Sequence, residues 1–179
     1  MTRIRKASAY LIVAAFALAA GVIFQLETRH RAASESAPAP TSVQLSSVNL
    51  PDLTGRAQAL DQWRGRVLVV NFWATWCAPC RKEVPELIHA QSEWGQRGLQ
   101  IVGIAIDEVE NVKPYAADMG INYPVLIGGP EGLELARGAG DSLAVLPFTV
   151  VVDRSGKAVS TQLGGVDRKK LAALIEPLL

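Results

Sequence analysis

Residues 67–83 read V-L-V-V-N-F-W-A-T-W-C-A-P-C-R-K-E. The opening part, 67–73, is an apolar, β-branched run of the kind that makes a strand buried on both faces. Just after it come Cys77 and Cys80, the only two cysteines among 179 residues. Cysteines in C-x-x-C spacing between a strand and a helix admit three readings: a structural staple, a metal clip or a reactive dithiol. Zinc sites use four ligands as a rule, whereas this chain has no second such pair and only His30 and His89 as histidines. A disulfide closing so short a loop restricts the unfolded chain little and so stabilises little. A reactive pair fits the strand–turn–helix setting best, with the staple and the clip as lesser alternatives.

The setting also assigns roles to the two sulfurs. The first thiol lies at a helix N-terminus, where unpaired N–H groups and the positive dipole end stabilise a thiolate. The second lies about one turn inside, close enough to close a disulfide after a mixed-disulfide intermediate. Cys77 is therefore the attacking thiol and Cys80 the resolving one. Trp76 shields one side of the sulfur and offers an apolar surface to a partner. Pro79 suits the first helical turn, where its missing N–H is needed least. The Ala78-Pro79 dipeptide tunes the reduction potential without fixing the direction of electron flow.

Outward from this stretch, strand and helix signals alternate. A helix is predicted over 77–97, ended by Gly98, then a second buried strand over 99–106. A helix follows over 110–119, a short strand over 123–127 and a short helix over 131–137. Residues 148–153 and 158–163 read as a hairpin around the turn R-S-G-K (154–157). Asp167 is a good N-cap for a last helix reaching about Leu178. Alternating βα units followed by a hairpin and a helix imply an α/β fold with a mixed sheet and helices on both faces.

The N-terminus has a different composition. Residues 1–31 carry five Lys or Arg against one acid, leaving 13 basic and 16 acidic side chains in the rest of a chain of formal charge +1. That balance disfavours nucleic acid as a partner. Arg3, Arg5 and Lys6 precede eighteen uncharged residues, 7–24. The run exceeds a normal signal-peptide core of about 7–15 residues and suits a bilayer span of roughly 20. An uncleaved signal anchor over 1–26 is therefore preferred to a cleaved signal peptide with Ala17-Leu18-Ala19 as its site. The basic end belongs in the cytoplasm, so the remainder is expected on the extracytoplasmic, periplasmic side of the inner membrane. Residues 27–47, rich in Ala, Ser and Pro, read as a flexible linker, and 48–179 as the folded domain.

F-W-A-T-W-C-A-P-C-R-K-E-V-P-E-L (72–87) resembles the active-site segment of thioredoxin-fold proteins, and more narrowly the membrane-anchored TlpA/ResA/CcmG group of the redoxin, AhpC/TSA-related proteins. V-N-L-P-D-L-T-G (48–55), W-R-G-R-V-L-V-V-N-F-W (63–73), V-L-P-F-T-V-V-V-D (145–153) and D-R-S-G-K (153–157) resemble further segments of that group. The resemblance implies a three-layer α/β/α fold with an N-terminal extension, plus a βα insertion over about 121–137 before the cis-proline strand. It makes Pro147 the cis-proline facing the cysteines, with the Leu146 backbone pairing with an extended substrate segment. Asn71 stands where thioredoxins carry a buried Asp, which removes that proton route. Glu83 matches an acid of the group and would handle the Cys80 proton; its alternative is an ordinary surface acid beside Arg81 and Lys82. His89 reads as a solvated helix residue, and Asp107, Glu108 and Glu110 as acids favouring the start of a helix rather than a metal cluster.

The activity implied is a protein-disulfide reductase whose only redox group is the Cys77–Cys80 pair, with no cofactor and no metal. A membrane electron donor of the CcdA/DsbD type is implied as partner. Apocytochrome c haem-site cysteines, and hence cytochrome c biogenesis, or a copper-assembly protein are the implied substrates. The alternatives are an oxidase or isomerase of the same fold, a copper chaperone, and a peroxidase. The peroxidase is disfavoured because Ala74 occupies the place of the usual Thr.

Overall fold

The computed structural model describes residues 48–179. The expected anchor over 1–26, its Ala17-Leu18-Ala19 alternative and the linker over 27–47 lie outside the described residues. Among the described residues, no helix is long and apolar enough to cross a membrane.

The chain opens with a small antiparallel pair, β1 (Asn49–Pro51) and β2 (Ala57–Ala59). A 3-10 turn, Leu60–Trp63, leads into β3 (Val67–Trp73). Then follow α1 (Ala78–Trp94), β4 (Leu99–Ala105), α2 (Val109–Met119), β5 (Val125–Ile127) and α3 (Gly129–Gly138). The chain closes with β6 (Phe148–Val152), β7 (Ala158–Leu163) and α4 (Arg168–Ile175). The five-stranded sheet has the order β5-β4-β3-β6-β7. β3 pairs parallel with β4 and antiparallel with β6. The sheet is therefore mixed, as the alternation of elements requires.

β3 is the central strand, and every one of its residues is buried. Successive side chains alternate between faces. Val67, Val69 and Trp73 join one cluster with Val84, Leu87 and Trp94 of α1, Val112 of α2, and Leu171 and Ile175 of α4. Leu68, Val70 and Phe72 join the other, with Ala136 of α3 and Leu60. Both faces are thus covered, which is why 67–73 carries no polar alternation. The exception is Asn71, which the strand period places on the α1 side. This is the thioredoxin-like three-layer fold, and β5 with α3 supplies the βα insertion.

The boundaries differ from the sequence reading at a few places. The helix expected over 77–97 is α1 followed by a 3-10 turn, Gly95–Arg97, and Gly98 ends it at φ 105°, which only glycine adopts without strain. Cys77 caps α1 rather than joining it. The short strand begins at Val125, because Pro124 has no N–H to give a ladder. The last helix stops at Ile175 and continues only as a 3-10 turn, Glu176–Leu178, around Pro177.

Candidate active site

At the end of β3 the chain turns through Ala74–Trp76 into α1. The Cys77 N–H donates to the Ala74 carbonyl at 3.2 Å. Asp107, just beyond β4, holds the turn from the side. Its Oδ2 accepts from the Thr75 N–H at 3.0 Å and from the Thr75 hydroxyl. Its Oδ1 accepts from the Glu108 N–H at 2.8 Å and from Asn111 Nδ2 at 3.0 Å. Burial pushes the Asp107 carboxyl up, but donors from Thr75, Asn111 and Glu108 outweigh that and hold it below the usual carboxylate range. The acids at 107–110 therefore start α2 and anchor the neighbouring turn.

Cys77 and Cys80 form a disulfide, with their Cα atoms 5.3 Å apart. Cys77 is the N-cap of α1, and its Sγ accepts from the Cys80 N–H at 3.3 Å. That donor is one of the unpaired N–H groups of a helix start. Cys77 keeps 6% of its surface exposed and Cys80 none, so an incoming sulfur reaches Cys77 first. Trp76 beside it is 68% exposed, an uncommon state for the largest apolar side chain. The Leu146-Pro147 bond is cis. Leu146 and Cys77 line one groove. Among the described residues the Leu146 backbone N–H and C=O have no hydrogen-bond partner, whereas the Pro147 carbonyl accepts from the Gly164 N–H at 2.9 Å.

About one turn after Cys80 on α1, Glu83 belongs to a buried polar network. Glu83 is 3% exposed, so it is not a surface acid. Its Oε2 accepts from the Val166 N–H at 2.9 Å and its Oε1 from Asn71 Nδ2. The same Nδ2 donates to Thr149 Oγ1 at 3.0 Å. Burial pushes the Glu83 carboxyl up to about 7, against the two donors that lower it. Tyr123 shares this environment. Burial raises its phenol well above the usual range, and the Glu83 charge and Tyr115 add to the effect. A carboxyl poised near neutrality, on the helix that carries the resolving cysteine, is equipped to exchange a proton. His89 is exposed, as expected.

The structure thus brings together Trp76, Cys77, Ala78, Pro79 and Leu146 along one groove, with Cys80, Glu83 and Asn71 buried. Sequence reasoning missed Thr149, the Val166 N–H and the Asp107 tie. Thr149 was within reach, since the period of β6 places it opposite Asn71 in the pairing of β3 with β6.

Fold and site define the class: a thioredoxin-like thiol–disulfide oxidoreductase. The chain belongs to the AhpC/TSA family, whose sequence profile matches residues 41–166, and its relatives make it the ResA/CcmG type of thioredoxin-like protein. It is 29% identical over 130 residues to the thiol-disulfide oxidoreductase ResA of Geobacillus thermodenitrificans, covering 72% of each chain. The ResA of Geobacillus kaustophilus is 25% identical over 177 residues, covering 98% of this chain and 96% of that one. Among solved structures, a thiol:disulfide interchange protein of the thioredoxin family from Chlorobium tepidum superposes with a TM-score of 0.68. That protein is 30% identical, and the match covers 80% of this chain and 97% of that one.

Proposed function

We propose that this oxidoreductase runs in the reducing direction, on disulfides of partner proteins outside the cytoplasmic membrane. Cys77 attacks a partner disulfide and expels one partner thiolate. Cys80 then attacks the Cys77 sulfur, which releases the second partner thiol and leaves the Cys77–Cys80 disulfide. Two electrons pass from the pair to the partner. Trp76, Ala78, Pro79 and Leu146 form the docking rim, and Pro147, itself buried, fixes the Leu146 backbone through the cis bond. The resolving step needs Cys80 as a thiolate, although Cys80 is fully buried. The observation that carries the mechanism is Glu83 buried about one turn after Cys80 on the same helix; burial raises its carboxyl to about 7, so that it takes the Cys80 proton and returns it to solvent.

The reducing direction is supported by the basic-then-apolar N-terminus, which reads as a single-pass signal anchor. A reductase tethered there draws electrons from a membrane thiol–disulfide carrier of the CcdA/DsbD type. Cytochrome c haem-site cysteines or a copper-assembly protein are the substrates that fit such a place. Equilibrating the protein with glutathione tests the direction. A potential near the thioredoxin value, about −270 mV, supports it; one near that of the strong periplasmic oxidases, about −120 mV, refutes it.

A further inference from the structure

Two clefts of opposite character meet at Ala78, the residue after Cys77. One is a groove of about 450 Å³ lined by Trp76, Cys77, Ile106, Leu133 and Leu146, with no ionisable side chain besides Cys77. It is large enough for a bulky apolar side chain together with its backbone. Leu143 and Val145, on the cis-proline loop that lines this groove, are also exposed, which extends the apolar character. The other cleft, of about 330 Å³, is lined by Arg81, Lys82, Tyr115 and Met119. Arg81 and Lys82 are exposed and make no ion pair among the described residues. Ala78, next to Cys77, lines both clefts.

The two clefts belong to different sides of the sheet. Tyr115 and Met119 of α2 pack on the cluster shared with α1, whereas Leu133 lies on α3, whose Leu135 and Ala136 pack on the opposite cluster. An extended chain advances about 3.3 Å per residue. A segment whose cysteine rests on Cys77 therefore reaches both clefts within about two residues either way. The N–H and C=O of Leu146, unpaired among the described residues, give such a segment backbone partners on the groove side.

We infer that the preferred partner segment is amphipathic about its cysteine, with a bulky apolar side chain on one flank and an acidic one on the other. Charge complementarity selects the acid, because Arg81 and Lys82 would repel a basic flank and leave a neutral one unrewarded. The absence of polar groups in the groove selects the apolar residue. This inference rests on the thiol–disulfide reading above and names the substrate class for that same site.

The test uses the full chain, reduced at both cysteines, and short peptides with one central cysteine capped as a mixed disulfide with thionitrobenzoate. Cys77 attacks the peptide sulfur, because the aryl thiolate is the better leaving group. The Cys77–peptide bond forms, the peptide–aryl bond breaks, and the coloured aryl thiolate leaves with the electron pair. Cys80 then displaces the peptide thiol. Four flank combinations are compared, Leu or Ser on one side and Glu or Gln on the other, in both chain orders. The expected rates favour Leu over Ser by about tenfold or more. Glu is favoured over Gln by a few-fold, a gain that fades at about 1 M salt. Leu133→Ser erases the Leu preference and keeps that for Glu. Arg81→Gln with Lys82→Gln, both at exposed positions, does the reverse.

Equal rates for all eight peptides, with brisk reduction of free dithionitrobenzoate, overturn the docking inference alone. No release from any peptide or from free dithionitrobenzoate overturns the thiol–disulfide reading and the inference with it.

Discussion

Replacing Glu83 by glutamine is expected to abolish a loss of stability that the wild-type protein suffers as pH rises. Glu83 is almost wholly buried, and its carboxyl is raised from 4.5 to about 7 in the folded state. The unfolded chain returns it to the lower value. Between the two values the folded state binds more protons than the unfolded state, so folding weakens with rising pH. The full contribution is present below about 4.5 and is gone above about 7. A shift of this size corresponds to about 3 kcal/mol. Glutamine preserves the volume and one acceptor for the Val166 N–H but cannot ionise. Urea denaturation of the oxidised protein, repeated from about pH 4 to about pH 8, reads the effect, and the disulfide keeps both cysteines out of the titration. The wild-type curve should fall relative to the Glu83→Gln curve by about 3 kcal/mol across the interval. Parallel curves, or a wild type that gains stability with pH relative to the variant, would refute the reasoning.

Cys80→Ala should accumulate mixed disulfides between Cys77 and its partners, read by non-reducing gels and mass spectrometry; their absence would sink the assignment of attacker and resolver. Asp107→Ala removes the acceptor for Thr75, Glu108 and Asn111 and should cost about 2 kcal/mol, given the strength of hydrogen bonds to charged groups. It should also speed hydrogen exchange in the turn at Thr75–Trp76, and unchanged exchange there would show that Asp107 does not hold the turn. Gly103→Ala would place a Cβ 2.8 Å from Trp73 Nε1 in the middle of the sheet, so overpacking should lower stability by about 2 kcal/mol. A melting temperature equal to the wild type would contradict that packing.

The strand–motif–helix unit was legible because each part leaves a local trace. Burial on both faces makes 67–73 a continuous apolar run, the cysteines sit at a fixed spacing, and Gly98 and Gly120 end helices in the left-handed conformation. β1 and β2 left none, because three-residue strands such as N-L-P and A-Q-A are too short for a period. The buried network was half legible. Glu83 and Asn71 lie in the motif itself, but the Val166 N–H that holds Glu83 comes from 83 residues along the chain. A backbone donor has no sequence signature, so only the folded chain identifies it. The two-cleft surface was equally hidden, since α2 and α3 bring its walls together from opposite sides of the sheet.

Asn71 has a buried carbonyl oxygen, Oδ1, that accepts no hydrogen bond among the described residues, while its Nδ2 serves both Glu83 and Thr149. An idle buried acceptor of this kind costs about 1–3 kcal/mol. An amide, however, has two unlike ends, and half a turn about its last bond exchanges them. While Glu83 is ionised, the donor end belongs against it. Once Glu83 is protonated, it offers an O–H, and the idle carbonyl becomes the matching acceptor. A carboxylate at position 71 would have only acceptors to present and would repel the ionised state. Asn71 thus has both a donor and an acceptor to set against Glu83, where an aspartate would have acceptors alone.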